Sequence, residues 1–285
     1  MNAGHRPRAG STSSAGAPAS RGYAEIPGGR LYYRTQGRGP GLVLLGGGPA
    51  NADTLGPLAS HLADDYTVVT YDRRGYSRSR LDDPGEETTI SRHSDDLRLL
   101  IAALGTGPAA VFGTSFGALI ALDLAACAPG SAAAVIVHEP PLGQLVPGGQ
   151  RGQFHLGAEG DPSAVLDAMA AATGVTRGRA AGRAGGGPEI SHSDISLFIR
   201  RDVPAIGAYH LGLRRLAAVS GRLTVAGSQA GRDYYPYQCA LRLAEHLGIP
   251  LVELPGNHVG MIQQPAQFAA ALKTVLIPGV AGGGG

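Results

Sequence analysis

The pentapeptide Gly113-Thr114-Ser115-Phe116-Gly117 constrains the fold of this chain more than any other segment, because of what flanks it. The apolar run Ala109-Ala110-Val111-Phe112 precedes it. The small-residue helical pattern Ala118-Leu119-Ile120-Ala121-Leu122-Asp123-Leu124-Ala125-Ala126 follows. A Gly-x-Ser-x-Gly match alone is a weak signal among 45 glycines. Between a buried strand and a helix, it describes a tight turn that lifts one serine hydroxyl above a sheet edge. Glycines flank the serine because a strained turn and a close strand–helix approach leave no room for a Cβ. The competing reading is an ordinary strand–loop–helix connection that happens to contain a serine.

The rest of the chain fits the first reading, with strand and helix patterns alternating from about residue 23 to 276. Tyr23–Ile26 and Arg30–Thr35 flank Pro27-Gly28-Gly29, a hairpin signal. Leu42–Leu45 and the Val68–Val69 stretch within Tyr66–Tyr71 are apolar on both faces, as central parallel strands are. In Ser91–Leu104, residues Leu97, Leu100, Ile101 and Leu104 have amphipathic helical spacing, with Ser91 as candidate N-cap. Ala134–His138 reads as a strand. After a long interruption come Leu223–Ala226 as strand, Pro236–Leu247 as helix, Leu251–Leu254 as strand and Pro265–Leu276 as the last helix. This order predicts an α/β fold with a mostly parallel sheet and helices on both faces.

The interruption, roughly 140 to 221, has a different texture. Its middle, Gly174 to Pro188, is nearly all Gly, Ala and Arg and offers nothing for a core. Helical patches flank it at Ser163–Ala172 and Ser191–Arg201, the latter with Ile195, Phe198 and Ile199 on one face. An insertion of this size reads as a helical cap over the site; a surface excursion without catalytic part is the alternative. The expected division is a disordered tail over 1–22, a core over 23–139 and 222–277, the cap over 140–221 and a flexible tail over 278–285.

Composition narrows the partners. Basic and acidic residues nearly balance, 24 against 22. The arginines are dispersed, so no basic stripe points to nucleic acid. No apolar run reaches the length of a membrane span, and residues 1–22 lack the apolar core of a signal peptide. Cys127 and Cys239 lie far apart in helical patterns, which suggests two buried, reduced thiols and a cytoplasmic protein.

A nucleophilic Ser115 needs a base, an orienting acid and donors for an oxyanion. The candidate base is His258, in Leu254-Pro255-Gly256-Asn257-His258, on a loop just past an apolar strand. His61 and His93 fall on helical patterns, and His155, His192 and His210 belong to the insertion. Leu44-Leu45-Gly46-Gly47-Gly48-Pro49 ends an apolar strand in three glycines, which lets backbone N–H groups point inward. The N–H groups of Gly48 and of Phe116 are the candidate oxyanion donors.

Together, Gly46-Gly47-Gly48-Pro49, Tyr71-Asp72-Arg73-Arg74-Gly75-Tyr76-Ser77-Arg78-Ser79, the elbow at Ser115 and Gly256-Asn257-His258 resemble the α/β-hydrolase superfamily in order and spacing. The resemblance covers about 23–276, and the insertion alone is unspecific. Gly46 departs from the histidine that many members carry at that place. Most members also carry the acid in a Gly-x-x-Asp pattern after the penultimate strand, where this chain has Gly227-Ser228-Gln229-Ala230. Asp233 lies three residues on. Glu139, after the strand that follows the elbow helix, is the other candidate, and some relatives place the acid there. A third possibility is that neither serves. Gly47 and His138 are candidate substrate contacts, with a satisfied strand-end histidine as the other, favoured reading of His138. In this family the Asp-x-x-Gly-x-Ser-x-Ser loop is chiefly structural, which sets Arg73 and Arg74 aside.

The resemblance implies a serine hydrolase acting on a small, fairly apolar ester, lactone or thioester through an acyl-enzyme. It implies no metal or other cofactor, and a monomer or homodimer. A non-hydrolytic cyclase, lyase or C–C cleaving enzyme of secondary metabolism, or a ligand-binding receptor on the same fold, are the competing readings.

Overall fold

The computed structural model describes residues 19–146, 162–175 and 190–280. Their strands form one sheet in the order β1-β2-β4-β3-β6-β7-β8-β9, with the two-residue β5 (Arg80–Leu81) paired to β2. The hairpin β1 (Ala19–Ile26) and β2 (Gly29–Gln36) pairs antiparallel, and β2 pairs antiparallel with β4 (Thr67–Tyr71). From β4 onward the neighbours β3 (Gly41–Leu45), β6 (Ala109–Thr114), β7 (Ala132–His138), β8 (Leu223–Ser228) and β9 (Leu251–Leu254) are all parallel.

Side-chain alternation along these strands builds two cores. Val43, Leu45, Val111, Val135 and Val137 face the layer of α2 (Ile90–Leu104), α3 (Phe116–Cys127) and α8 (Tyr235–Leu247). Leu42, Leu44, Phe112 and Ile136 face α1 (Gly56–Leu62), the short α9 (Gly260–Gln263) and α10 (Pro265–Val280) on the other side. Fully apolar strands are thus the consequence of helices on both faces. The chain leaves β3 toward β4 and returns to β6 on the opposite side. The carboxyl ends of β3 and β6 therefore border a topological switch point, where sites of open α/β sheets form. No helix of the described residues is long and apolar enough to cross a membrane.

Between β7 and β8 lie α4 (Pro162–Thr173), α5 (His192–Leu197), a π-helical turn over Phe198–Asp202, α6 (Val203–Ala208) and α7 (Leu213–Ala217). Most of the Gly-, Ala- and Arg-rich middle of this insertion, and His155, lie outside the described residues.

Several boundaries differ from expectation. Residues 19–22 are not tail but strand, because Ala19 to Gly22 pair with Gln36 to Tyr33 of β2. The cap of α2 is Thr89, whose hydroxyl accepts from the Arg92 N–H, and Ser91 lies inside the helix. The last helix continues to Val280, beyond the expected limit at 277. Cys239 is buried and free, but Cys127, last residue of α3, is exposed.

Backbone packs closely where α3 meets the sheet. A Cβ on Gly113 would lie 2.3 Å from the Gly117 carbonyl oxygen, and one on Gly117 would lie 2.5 Å from that of Leu45. Backbone cannot yield there as a flexible side chain can. Gly113→Ala is therefore expected to lower unfolding free energy by roughly 1–3 kcal/mol, the usual cost of overpacking, read as a lower urea midpoint.

Candidate active site

Ser115 occupies the turn between β6 and α3 with φ 53° and ψ −118°, a region few non-glycine residues adopt. Such strain costs on the order of 1–3 kcal/mol and persists only when the surroundings over-determine it. Here the Ser115 N–H donates to the His138 carbonyl at 2.9 Å, and its own carbonyl accepts from Ala118 at 2.9 Å. The side chain is left partly exposed at the sheet edge, and Oγ holds no hydrogen bond among the described residues.

Facing it is the Gly46–Gly48 loop at the end of β3. A Cβ on Gly47 would stand 2.7 Å from the Ser115 Cβ, so only glycine fits beside the serine. Gly47 is thus a neighbour of the serine itself. Gly48 has φ 50°, and the space where its Cβ would project is empty to 4 Å. Its N–H has no acceptor among the described residues. The Phe116 N–H, first of α3, has none within the helix. Two backbone donors are thereby available beside one hydroxyl.

His258 sits on the loop after β9. Gly256 starts that loop at φ 83°, where a Cβ would come within 2.9 Å of the Gly260 Cα, and its carbonyl accepts from Ala230 at 2.9 Å. His258 Nδ1 lies 2.5 Å from Oε2 of Glu139. Glu139 is the first residue past β7, itself at φ 51°, and its N–H is bonded to the Ala226 carbonyl at 3.0 Å. Its second oxygen, Oε1, accepts from the Ser228 N–H at 2.8 Å and from the Ser228 hydroxyl in a short bond. The glutamate thus spans from the end of β7 to the end of β8. Asp233 is exposed in the turn before α8, and the carboxylate bonded to His258 is that of Glu139.

His138 lies elsewhere than a pocket wall. It is wholly buried, its ring stacked on that of His258 at 6.3 Å and edge-on to Phe268 at 5.7 Å. Thr114 Oγ1 meets its Nδ1 at 3.0 Å, while Nε2 has no partner among the described residues. A residue so enclosed backs the His258 ring and has no surface to offer a substrate, which corrects the expected substrate contact. Strand register explains the burial: His138 is the last residue of β7, paired with Thr114 of β6 and Ala226 of β8.

The electrostatics follow from this enclosure. Burial pushes His138 down to about 4, against the opposing pull of Glu139 and with a contribution from His258. Burial works against the Glu139 carboxylate, but the His138 and His258 imidazoles and the Ser228 hydroxyl outweigh it and hold Glu139 down at about 2. His138 is neutral above about 4, so near pH 7 the task falls to His258 and Ser228. Glu139 remains a carboxylate at any pH where the fold is useful.

Sequence reasoning passed over Arg73. Arg74 is structural, its guanidinium gripping Asp96 at 2.8 and 2.9 Å and Glu86 at 2.7 Å. Arg73 instead turns toward the glycine loop, donating to the Gly48 carbonyl at 2.5 Å and to the Gly46 carbonyl at 3.3 Å. The motif alone could not distinguish the two adjacent arginines.

Comparison with known proteins agrees with this architecture. The model of the alpha/beta hydrolase family matches residues 42–271. A Bacillus subtilis (strain 168) protein named "Uncharacterized hydrolase YraK" is 35% identical over 265 residues, covering 90% of this chain and 96% of its own. A pimeloyl-[acyl-carrier protein] methyl ester esterase of Stenotrophomonas maltophilia (strain R551-3) is 35% identical over 99 residues, 35% of this chain and 36% of its own. Among solved structures, a thermophilic esterase from Thermogutta terrifontis superposes with a TM-score of 0.69 at 20% identity, covering 91% of this chain and 98% of that one. The N-acyl homoserine lactonase AidH gives 0.68 at 18% identity, covering 93% and 98%.

The buried pair predicts how stability depends on pH. The His138 value falls from 6.5 to about 4 on folding, so between these limits the unfolded chain binds more protons and stability drops as pH falls. The loss should approach roughly 3 kcal/mol by about pH 4. Glu139, lowered from 4.5 to about 2, adds stability that is complete above 4.5 and is lost as pH falls toward 2. Urea titrations of wild type and His138→Gln should show the slope between pH 6.5 and 4.5 only in wild type.

Proposed function

The chain belongs to the alpha/beta hydrolase family, and from that premise we propose that it is a serine hydrolase of a small, fairly apolar ester, lactone or thioester. The observation that carries the reading is the buried His258–Glu139 pair at 2.5 Å, set at the same sheet edge as a serine held at positive φ.

In this mechanism Ser115 Oγ adds to the substrate carbonyl carbon while His258 Nε2 takes the hydroxyl proton. The carbonyl electron pair moves onto oxygen, which is received by the N–H groups of Gly48 and Phe116. Glu139 keeps the His258 Nδ1–H in place and balances the imidazolium. Collapse of the adduct expels the alcohol or thiol, protonated by His258, and leaves an acyl-serine. Water then repeats the sequence with His258 as base. A loose apo arrangement of serine and base is compatible with this chemistry, since such bonds tighten when substrate binds. The helices between β7 and β8 serve as the cap that shapes the acyl pocket. The ester and lactone chemistry of the relatives supports the substrate class.

A fluorophosphonate should label the wild-type protein at Ser115 and leave Ser115→Ala unlabelled. The same substitution should lower kcat on an activated ester by on the order of 10⁶ while the thermal melt is retained. Near-normal turnover by folded Ser115→Ala would favour a non-hydrolytic reaction on the same fold. Glu139→Gln should cost roughly 10³–10⁴ in kcat, and Asp233→Asn should cost little. The reverse ranking would move the acid to the β8 loop.

A further inference from the structure

Arg73 and the Asp202 carboxylate of the insertion form a buried unit against the glycine loop, and neither has a part in the chemistry above. Arg73 is 3% exposed and Asp202 1%. Arg73 Nη2 donates both to Asp202 Oδ2 at 3.2 Å and to the Gly48 carbonyl at 2.5 Å, while Nη1 donates to the Gly46 carbonyl at 3.3 Å. Asp202 also accepts from the Tyr76 hydroxyl at 2.5 Å and meets His93 Nε2 at 3.3 Å.

The peptide planes show what these bonds do. The Gly47 carbonyl is bonded by the Ala50 N–H at 3.1 Å. With Arg73 on the carbonyls before and after it, three consecutive carbonyls are held. In a trans peptide the N–H points opposite to the preceding carbonyl, so holding the Gly47 carbonyl aims the Gly48 N–H, and Arg73 clamps the peptides on each side. Glycine at φ 50° has the least intrinsic preference for any such geometry, so the constraint must come from outside the loop. A side chain at Gly46 could not supply it, because a Cβ there would lie 2.4 Å from that of Ala50.

The second donor is held by the same unit. The Arg73 guanidinium lies over the Phe116 ring at 4.8 Å and over Tyr76 at 4.4 Å. His93 and Phe198 meet Phe116 edge-on at 5.5 and 6.0 Å. Phe198 and Asp202 are the first and last residues of the π-helical turn in the insertion. Such turns are rare and frequent at functional sites. One turn of the insertion therefore grips both the ring of Phe116 and the arginine that holds Gly48.

We propose that Arg73 is a positioning residue for the oxyanion donors and that Asp202 of the insertion sets its pose, so that the insertion controls how well the adduct oxygen is received. The proposal rests on the serine-hydrolase reading and names what regulates that site. Removing the clamp leaves substrate binding intact and loosens the donors when charge develops, an effect confined to the transition state.

The test uses Asp202→Asn, which keeps shape and removes charge, and Arg73→Lys, which keeps charge and loses the two-pronged reach. Each is measured on a p-nitrophenyl ester and with a trifluoromethyl ketone. The ketone's carbonyl carbon is attacked by the serine hydroxyl to give a tetrahedral oxyanion adduct, the proton passing to the histidine. Both variants should lower kcat by about 10–100-fold with KM within about twofold, and weaken the ketone in parallel. Thermal melts establish that the proteins are folded, and if Arg73→Lys does not fold, Asp202→Asn decides alone. A folded Asp202→Asn with wild-type kcat and ketone affinity, or with a change in KM only, overturns the proposal. If wild-type Ser115 is not labelled by a fluorophosphonate, the hydrolase reading itself fails. Labelled wild type with an unaffected Asp202→Asn sinks the clamp alone.

Discussion

The approach of the α3 backbone to the ends of β3 and β6 is the constraint on which the site depends. Gly117 lies so close to the Leu45 and Gly46 carbonyls that a Cβ would stand 2.5 and 2.8 Å from them. This contact brings the amino end of a helix against the loop that leaves the neighbouring strand. It forces Ser115 to positive φ and sets Gly47 directly against it. Hydroxyl, helix N–H groups and glycine loop are then neighbours by construction. Little further free energy is needed to assemble them, which is the meaning of preorganisation at such a site.

The sheet supplies the other half. Parallel register aligns the carboxyl ends of β6, β7 and β8, so that Thr114, His138 and Ala226 lie side by side. The residue after each strand end can therefore interact with its neighbours. Glu139 crosses to Ser228 in this way, and its carboxylate is tied down by Ser228 before it reaches His258. A buried charge is costly unless fully bonded. The arrangement of Ser228, Glu139 and His258, with neutral His138 stacked behind, satisfies that requirement and leaves Nε2 of His258 as the open end of the chain.

Much of this was legible in the sequence because it is local. The apolar strands, the glycines of the elbow and the glycine loop each carry a signal within five or six residues. The alanine at position 230 left two carboxylates to weigh, and only the geometry brings Glu139 and not Asp233 to His258. Arg73 and Asp202 were not legible. They are 129 residues apart, one in a motif that reads as structural and the other just past a helical patch of the insertion that gives no sign of what it packs against. The sequence left His138 open between a pocket contact and a satisfied strand-end residue, and its burial favours the second. A strand-end residue sits inside or outside according to what the following helices cover, and that is decided by α10 through Phe268.

Glu139 is followed at once by Pro140 and Pro141. The two rings fix consecutive φ angles, so the chain has little rotational freedom at the root of the insertion. A swing of the helices beyond cannot pivot at Glu139 and drag its carboxylate from the His258 imidazole. Displacement of those helices is mechanically insulated from the Glu139–His258 pair. It would be felt first on the opposite bank of the site, where Asp202 enters the core. The fold thus divides the site into a side stiffened against the insertion and a side that answers to it.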